Sequence, residues 1–240
     1  MNKKLKIALI VILALVIVLA GYLFWYGTNY AHADSSVDAL LNGTENVSVT
    51  KIDGGLFLDG PGNESALIFY PGAQIEYTSY LPLLMNLSND GVDCFLLEMP
   101  LNVAVFNTGA ANSIIDNGNY TYDKWYVGGH SLGGWAASEY ISNNPNKTDG
   151  LVLLAAYSDS DLGDTPVLSI YGTKDGNLNR VTYNESKPFI DNNLTEYIIK
   201  GGNHAQFASY GVDPKNGKAS ISPEQQRKET EEQILKFINN

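Results

Sequence analysis

Five continuous apolar runs, each closing on glycine, proline or polar residues, limit what this chain can fold into. They are "SALIFYPG" from Ser65, "VDCFLLEM" from Val92, "KWYVGGH" from Lys124, "GLVLLAAY" from Gly150 and "TPVLSIYG" from Thr165. Such a run has no polar face to offer water. It reads as a strand covered on both sides, as in a parallel sheet packed between helices. "LTEYIIKG" from Leu194 supplies a sixth strand.

Helical patterns separate these runs. Residues 76–90 place Tyr80, Leu81, Leu84 and Leu87 on one face and stop at Asp90-Gly91. Residues 107–117 give a weaker helix. Residues 132–143 give one ended by Asn143-Asn144-Pro145, and 181–191 another. The last opens with Ser222 as N-cap, Pro223 at the first position and Glu224 in the first turn. Before the first run, "NVSVTKIDGGLFLDGPG" alternates apolar and polar residues around Asp53-Gly54-Gly55, the pattern of a β-hairpin. The expected fold is α/β: a doubly wound, mostly parallel sheet begun by an antiparallel hairpin. Chemistry in such sheets sits beyond the carboxyl ends of the strands.

The chain has 240 residues, 44% hydrophobic and 17% charged, enough for one domain with a sizeable core. Lys3, Lys4 and Lys6 stand at the extreme N-terminus. From residue 7 onward twelve basic residues face 26 acidic ones, a net charge of −14. This surface repels nucleic acid and anionic headgroups, so no nucleic-acid partner is expected. The lone cysteine, Cys94, lies in an apolar run and reads as a packed thiol. No cluster of His, Cys and carboxylates has ligand spacing, so neither a metal nor an organic cofactor is expected.

After the lysines, residues 7–26 carry no charge and are almost all apolar. As a helix they span about 30 Å, the thickness of a bilayer's hydrocarbon core. Tyr22, Phe24, Trp25 and Tyr26 cluster at the far end as an interfacial belt would. The division expected is a basic cytoplasmic tail (1–6), a single-pass anchor (7–26), a linker (27–45) and an extracytoplasmic domain (46–240). Ala31-His32-Ala33 also fits a signal-peptidase site, which would release the domain instead. Both readings place it outside the cytoplasm.

The third strand run ends in Gly129-His130-Ser131-Leu132-Gly133. A G-x-S-x-G pentapeptide alone is a weak signal. Its position, closing a buried strand and opening a helix of small residues, gives it meaning. A serine on a sharp strand-to-helix turn takes a strained backbone, and the residues two before and two after must lack side chains. Gly129 and Gly133 satisfy this, and Ser131 becomes the candidate nucleophile. A serine needs a base. His32 lies beside the membrane segment, and His130 cannot curl back onto its neighbour's hydroxyl. His204, in a glycine-rich loop after the last strand, remains. The imidazole in turn needs a carboxylate. Asp175 follows the penultimate strand on the same sheet edge; Asp159, Asp161 and Asp164 are its rivals.

The order Ser…Asp…His, each at a strand end, resembles the α/β-hydrolase superfamily. The resemblance covers residues 46–239 and rests on GGHSLGG, YGTKDG and GGNH. With "FYPGA" and "FLLEMP" it is similar to the small, lidless, dienelactone-hydrolase-like branch found as membrane-tethered bacterial proteins. Dienelactone hydrolases proper carry a cysteine nucleophile where this chain has Ser131. The resemblance implies an oxyanion hole built from the N–H groups of Leu132 and Ala73, with Gly72 allowing close approach. Glu76, just beyond, is expected to be a helix-start carboxylate. With only "SDSDLGD" available for a lid, the site is expected to be shallow and open.

These residues point to a serine hydrolase acting on a small-molecule acyl substrate, with a carboxylic ester as the bond cleaved. An acyltransferase on the same residues and a non-catalytic binding protein of this fold are the alternatives.

Overall fold

The computed structural model describes residues 2–190, 193–211 and 213–240. Eight strands form one sheet: β1 (Ser48–Ile52), β2 (Gly55–Asp59), β3 (Ser65–Tyr70), β4 (Val92–Leu97), β5 (Lys124–His130), β6 (Gly150–Leu154), β7 (Val167–Gly172) and β8 (Leu194–Ile199). Their order across the sheet is β1-β2-β4-β3-β5-β6-β7-β8. The β1–β2 hairpin and the β2–β4 pair are antiparallel, and every other pairing is parallel. The chain winds outward from β3 to β4, then crosses back to place β5 on the other side of β3. The order therefore reverses between β3 and β5, which opens a crevice at their carboxyl ends.

The apolar runs are buried as their composition requires. All six residues of each of β3, β4 and β7 are buried, whereas the edge strand β8 is half-exposed. Alternation sends Leu67 and Phe69 of β3 to one face and Ala66, Ile68 and Tyr70 to the other. The first face packs against α2 (Leu81–Asn89) and α6 (Pro223–Ile238). The second packs against α3 (Asn112–Ile115) and α4 (Leu132–Asn143). Ser222 caps α6, its hydroxyl accepting the Gln225 N–H at 3.2 Å. Cys94 is free and buried in β4, and burial pushes its thiol up to about 12.

Three elements depart from the sequence pattern. The helix expected over 107–117 is a single turn, α3, preceded by a 3-10 turn at Ala104–Asn107. Here Gly109 and Gly118 interrupt a run too short to bury a continuous stripe. The helix expected over 181–191 is α5 (Arg180–Ser186) with a short 3-10 turn behind it; residue 191 lies outside the described residues. The stretch read as a linker, 27–45, is docked on the domain. Ser35–Asn42 form a 3-10 helix whose Val37 is buried. Ala31 and Ala33 make bridges to Ile75 and Tyr210.

The helix α1 (Lys3–Thr28) extends the apolar run by four residues at its N-terminal end and two at the other, and none of it is buried. By length and composition it is able to cross a membrane.

Candidate active site

β5 delivers Ser131. The strand ladder continues one step beyond His130, because the Ser131 N–H donates to the Leu154 carbonyl at 2.9 Å. The chain then turns sharply into α4, and Ser131 takes φ 53°, ψ −124°. That conformation is costly for a residue with a Cβ, by about 1–3 kcal/mol, and persists only where the surroundings fix it. Here the Ser131 carbonyl accepts the N–H groups of Gly134 and Trp135 at 3.0 and 3.2 Å. The two elbow glycines are indispensable on steric grounds. A Cβ on Gly129 would lie 2.5 Å from the Gly133 carbonyl carbon, and one on Gly133 would lie 2.2 Å from the Tyr70 carbonyl oxygen. The elbow is thus pressed against the loop that leaves β3.

β7 and β8 deliver the other two groups. Asp175 follows β7 by three residues and His204 follows β8 by five. The His204 Nδ1–H donates to Asp175 Oδ2 at 3.0 Å, and the Asp175 side chain is fully buried. The other carboxylate oxygen, Oδ1, accepts the N–H groups of Asn177 and Leu178, each at 2.8 Å. Burial alone would raise the Asp175 pKa. The hydrogen bond and charge of His204, with the two amides, outweigh burial and hold it below the usual carboxylate range. Among the rivals, Asp159 is engaged by the Trp135 indole N–H at 2.6 Å and Asp161 by the Gly163 N–H at 2.9 Å.

Ser131 and His204 both line two cavities that meet at them. One, of about 360 Å³, has mostly apolar walls that include Val105, Leu132, Trp135, Tyr157 and Leu178. The other, of about 440 Å³, reaches Ala73, Ala31, His32 and Tyr210. Val105 of the 104–107 turn and Trp135 stand in the wall of the first cavity. The β6–β7 connection beside it is only residues 155–166. Among the described residues, no hydrogen bond joins the Ser131 hydroxyl to His204; such contacts commonly tighten only when substrate binds. The N–H groups of Leu132 and Ala73 likewise have no protein acceptor among the described residues.

A family model described as "Alpha/beta hydrolase family" matches residues 66–228, a span that contains the elbow, Asp175 and His204. The chain belongs to the alpha/beta hydrolase family. Solved structures agree with this hydrolase in fold. The dienelactone hydrolase from Anabaena variabilis superposes with a TM-score of 0.58 at 15% identity, over 80% of this chain and 99% of its own. The carboxylesterase of Bacillus cereus gives 0.54 at 14%, over 85% and 100%. A membrane phospholipase A, described as a bacterial virulence factor, gives 0.60 at 14% over the whole of both chains. Searched by sequence, the curated proteins give no significant match.

Two residues of the hydrolase site escape sequence reasoning. His130 is fully buried, with its Nε2 2.9 Å from the His204 carbonyl. A carbonyl only accepts, so Nε2 carries the proton and Nδ1 is the acceptor. The Tyr80 O–H donates to that Nδ1 at 2.8 Å, and the Tyr80 oxygen accepts the Gly72 N–H at 2.9 Å. One chain of hydrogen bonds therefore runs from the β3 loop, through Tyr80 and His130, to the backbone of His204. Tyr80 has no local sequence signal, since it reads as a core residue of the 76–90 helix. Glu76 stands at a helix start as expected, as the N-cap residue of the 3-10 turn Tyr77–Tyr80, but its side chain caps no backbone of that turn. Instead its Oε2 accepts the His32 ring N–H and the Ala33 N–H, each at 3.2 Å, and so clips the segment after α1 to the Ala73 loop.

His130 also makes stability pH-dependent. Burial, followed by the neighbouring His204, holds its pKa well below the ordinary value of about 6.5. The unfolded chain takes up a proton that the native state refuses. This contribution is therefore complete above about pH 6.5 and is lost as pH falls, at up to about 1.4 kcal/mol per pH unit. Urea unfolding of the full chain in detergent, at about pH 7 and about pH 5.5, is expected to show a smaller loss for His130→Gln than for wild type. Equal losses would refute the assignment.

Proposed function

We propose that this protein is a membrane-anchored serine hydrolase that cleaves a carboxylic ester through an acyl-enzyme. The observation that carries the reading is the His204–Asp175 pair, with Nδ1 tied to a buried carboxylate, beside a serine held in a strained elbow over the same cavities. The bond to Asp175 fixes the tautomer, so the other ring nitrogen, Nε2, is free to accept a proton.

In the proposed cycle the Ser131 Oγ attacks the acyl carbon and its proton passes to His204 Nε2. The carbonyl oxygen becomes an oxyanion held by the N–H groups of Leu132 and Ala73. Leu132 is the first residue of α4, so that helix dipole adds positive potential at the same place. Collapse expels the alcohol, which takes the proton from His204. Water then attacks the acyl-enzyme with His204 as base, releasing the acid and restoring Ser131.

The anchor reading draws support from the segment after α1. The Ala31 N–H donates to the Gln74 carbonyl at 2.8 Å, and the Glu76 N–H donates to Ala31 at 2.9 Å. Cleavage after Ala33 would remove the Ala31 bridge to Ile75 and the Ala33 N–H bond to Glu76, both of which hold the loop carrying Ala73. We take the helix as retained, the lysines as cytoplasmic and the domain as facing outward.

Full-length protein in detergent is expected to react with a fluorophosphonate probe and to turn over short-chain soluble esters. Ser131→Ala should abolish labelling, and Asp175→Asn should lower kcat by about 10³–10⁴-fold. Labelling of Ser131→Ala equal to wild type would sink the reading. Gly133→Ala should slow labelling by about 10²-fold or more while leaving far-UV circular dichroism intact. The added methyl forces the Tyr70–Pro71 carbonyls, and with them the Ala73 donor, away from Leu132.

A further inference from the structure

Seven large apolar side chains outside α1 are exposed among the described residues, and three of them fall within six positions. These are Leu101, Val105 and Phe106, 37%, 44% and 55% accessible. Val105 lines the apolar cavity beside Ser131. At the other end of this short stretch, Leu101 touches the end of α1. An added Cβ on Gly27 would lie 2.5 Å from the Leu101 Cδ2, and the Asn102 amide reaches the Gly27 carbonyl at 3.5 Å. The segment 101–106 thus forms an apolar path from the end of the apolar helix to the mouth of the cavity.

The same helix end is tied to the oxyanion side of the site. Only Asn29 and Tyr30 lie between Thr28 and Ala31, which bridges to Ile75, a span of at most about 10 Å. Gln74 donates from its backbone to the Asn102 carbonyl at 2.8 Å and from its side chain to the Leu101 carbonyl at 3.2 Å. With α1 in a bilayer, Tyr22, Trp25 and Tyr26 sit at the headgroup level. The exposed Leu101, held against the end of α1 at Gly27, then lies close to that level, and Val105 leads from it to the cavity beside Ser131.

We infer that the substrate is the carboxylic ester of a membrane-resident amphiphile with an uncharged or zwitterionic head, taken directly from the leaflet that α1 enters. The inference rests on the serine hydrolase reading and names the substrate class for that site. The ester of such an amphiphile lies at the headgroup level, where Ser131 reaches it. Its hydrocarbon tail stays along Leu101, Val105 and Phe106 or in the bilayer, so the cavity beside Ser131 need hold only the part next to the ester. A net charge of −14 from residue 7 onward disfavours anionic heads.

The test uses the full chain reconstituted into vesicles of ether-linked phosphatidylcholine, which offers no acyl ester. A small fraction of long-chain diacylglycerol is the membrane substrate, and a short-chain soluble ester is measured in parallel. Wild type should hydrolyse both. The double variant Leu101→Asn with Phe106→Ser should lose at least tenfold on the diacylglycerol and stay within twofold on the soluble ester. Both side chains are exposed, and Leu101 has φ 54°, which asparagine tolerates better than leucine, so the variant is expected to fold. Wild type that cleaves the soluble ester but spares the diacylglycerol would overturn the inference and leave the hydrolase reading standing. So would a double variant that loses both activities alike or neither. Failure on both esters, with no fluorophosphonate labelling, would remove the hydrolase reading itself.

Discussion

The elbow of this hydrolase stands almost in contact with the loop leaving β3, and the α-carbon of Gly133 faces the carbonyl oxygens of Tyr70 and Pro71 with no room for a methyl group. That approach follows from the order of the sheet, because β3 and β5 are neighbours and the chain reverses direction between them. It sets the start of α4 against the loop that leaves β3. It also forces Ser131 into its strained conformation, which the ladder bond to Leu154 and the first turn of α4 hold. The remaining groups are arranged around this contact.

The second requirement is that the site keep its shape when it is empty. Side chains deep in the fold supply this. His130 and Tyr80 link the loop after β3 to the backbone of His204 by hydrogen bonds in which every donor has an acceptor. A buried polar group that is fully paired costs little and fixes geometry; one left unpaired would be expensive. His130, the residue preceding Ser131, therefore has a structural part of its own.

Much of this was legible in the sequence, for identifiable reasons. Strands covered on both faces announce themselves as uninterrupted apolar runs, and α4 begins and ends where its glycines and Asn143-Asn144-Pro145 predict. The family match agrees with the fold read from those runs. Ser131, Asp175 and His204 could be singled out because strand ends are recognisable and histidines are few; the structure brings His204 and Asp175 into a hydrogen bond and sets Ser131 beside them. What escaped depends on contacts between residues far apart in the chain. Tyr80 is fifty positions from His130, and its hydroxyl carries no pattern. Residues 27–45 look like a linker because their apolar residues are sparse, yet two alanines suffice to add bridges to the domain. The 104–107 turn, which helps to wall the cavity, has neither periodicity nor a cap to reveal it.

The bonds of Ala31 have a mechanical consequence. Because its N–H and carbonyl both join the loop that carries Ala73, the helix before it is not an interchangeable tether. Tension or tilt applied to α1 passes through three residues into the loop that lines the same cavity as Ser131. A flexible leash of equal length would keep the domain at the same surface, but it would leave Gln74 and Glu76 without their partner and the loop free to drift. In this chain the segment that joins the apolar helix to the domain also sets the stiffness of one rim of the cavity beside Ser131.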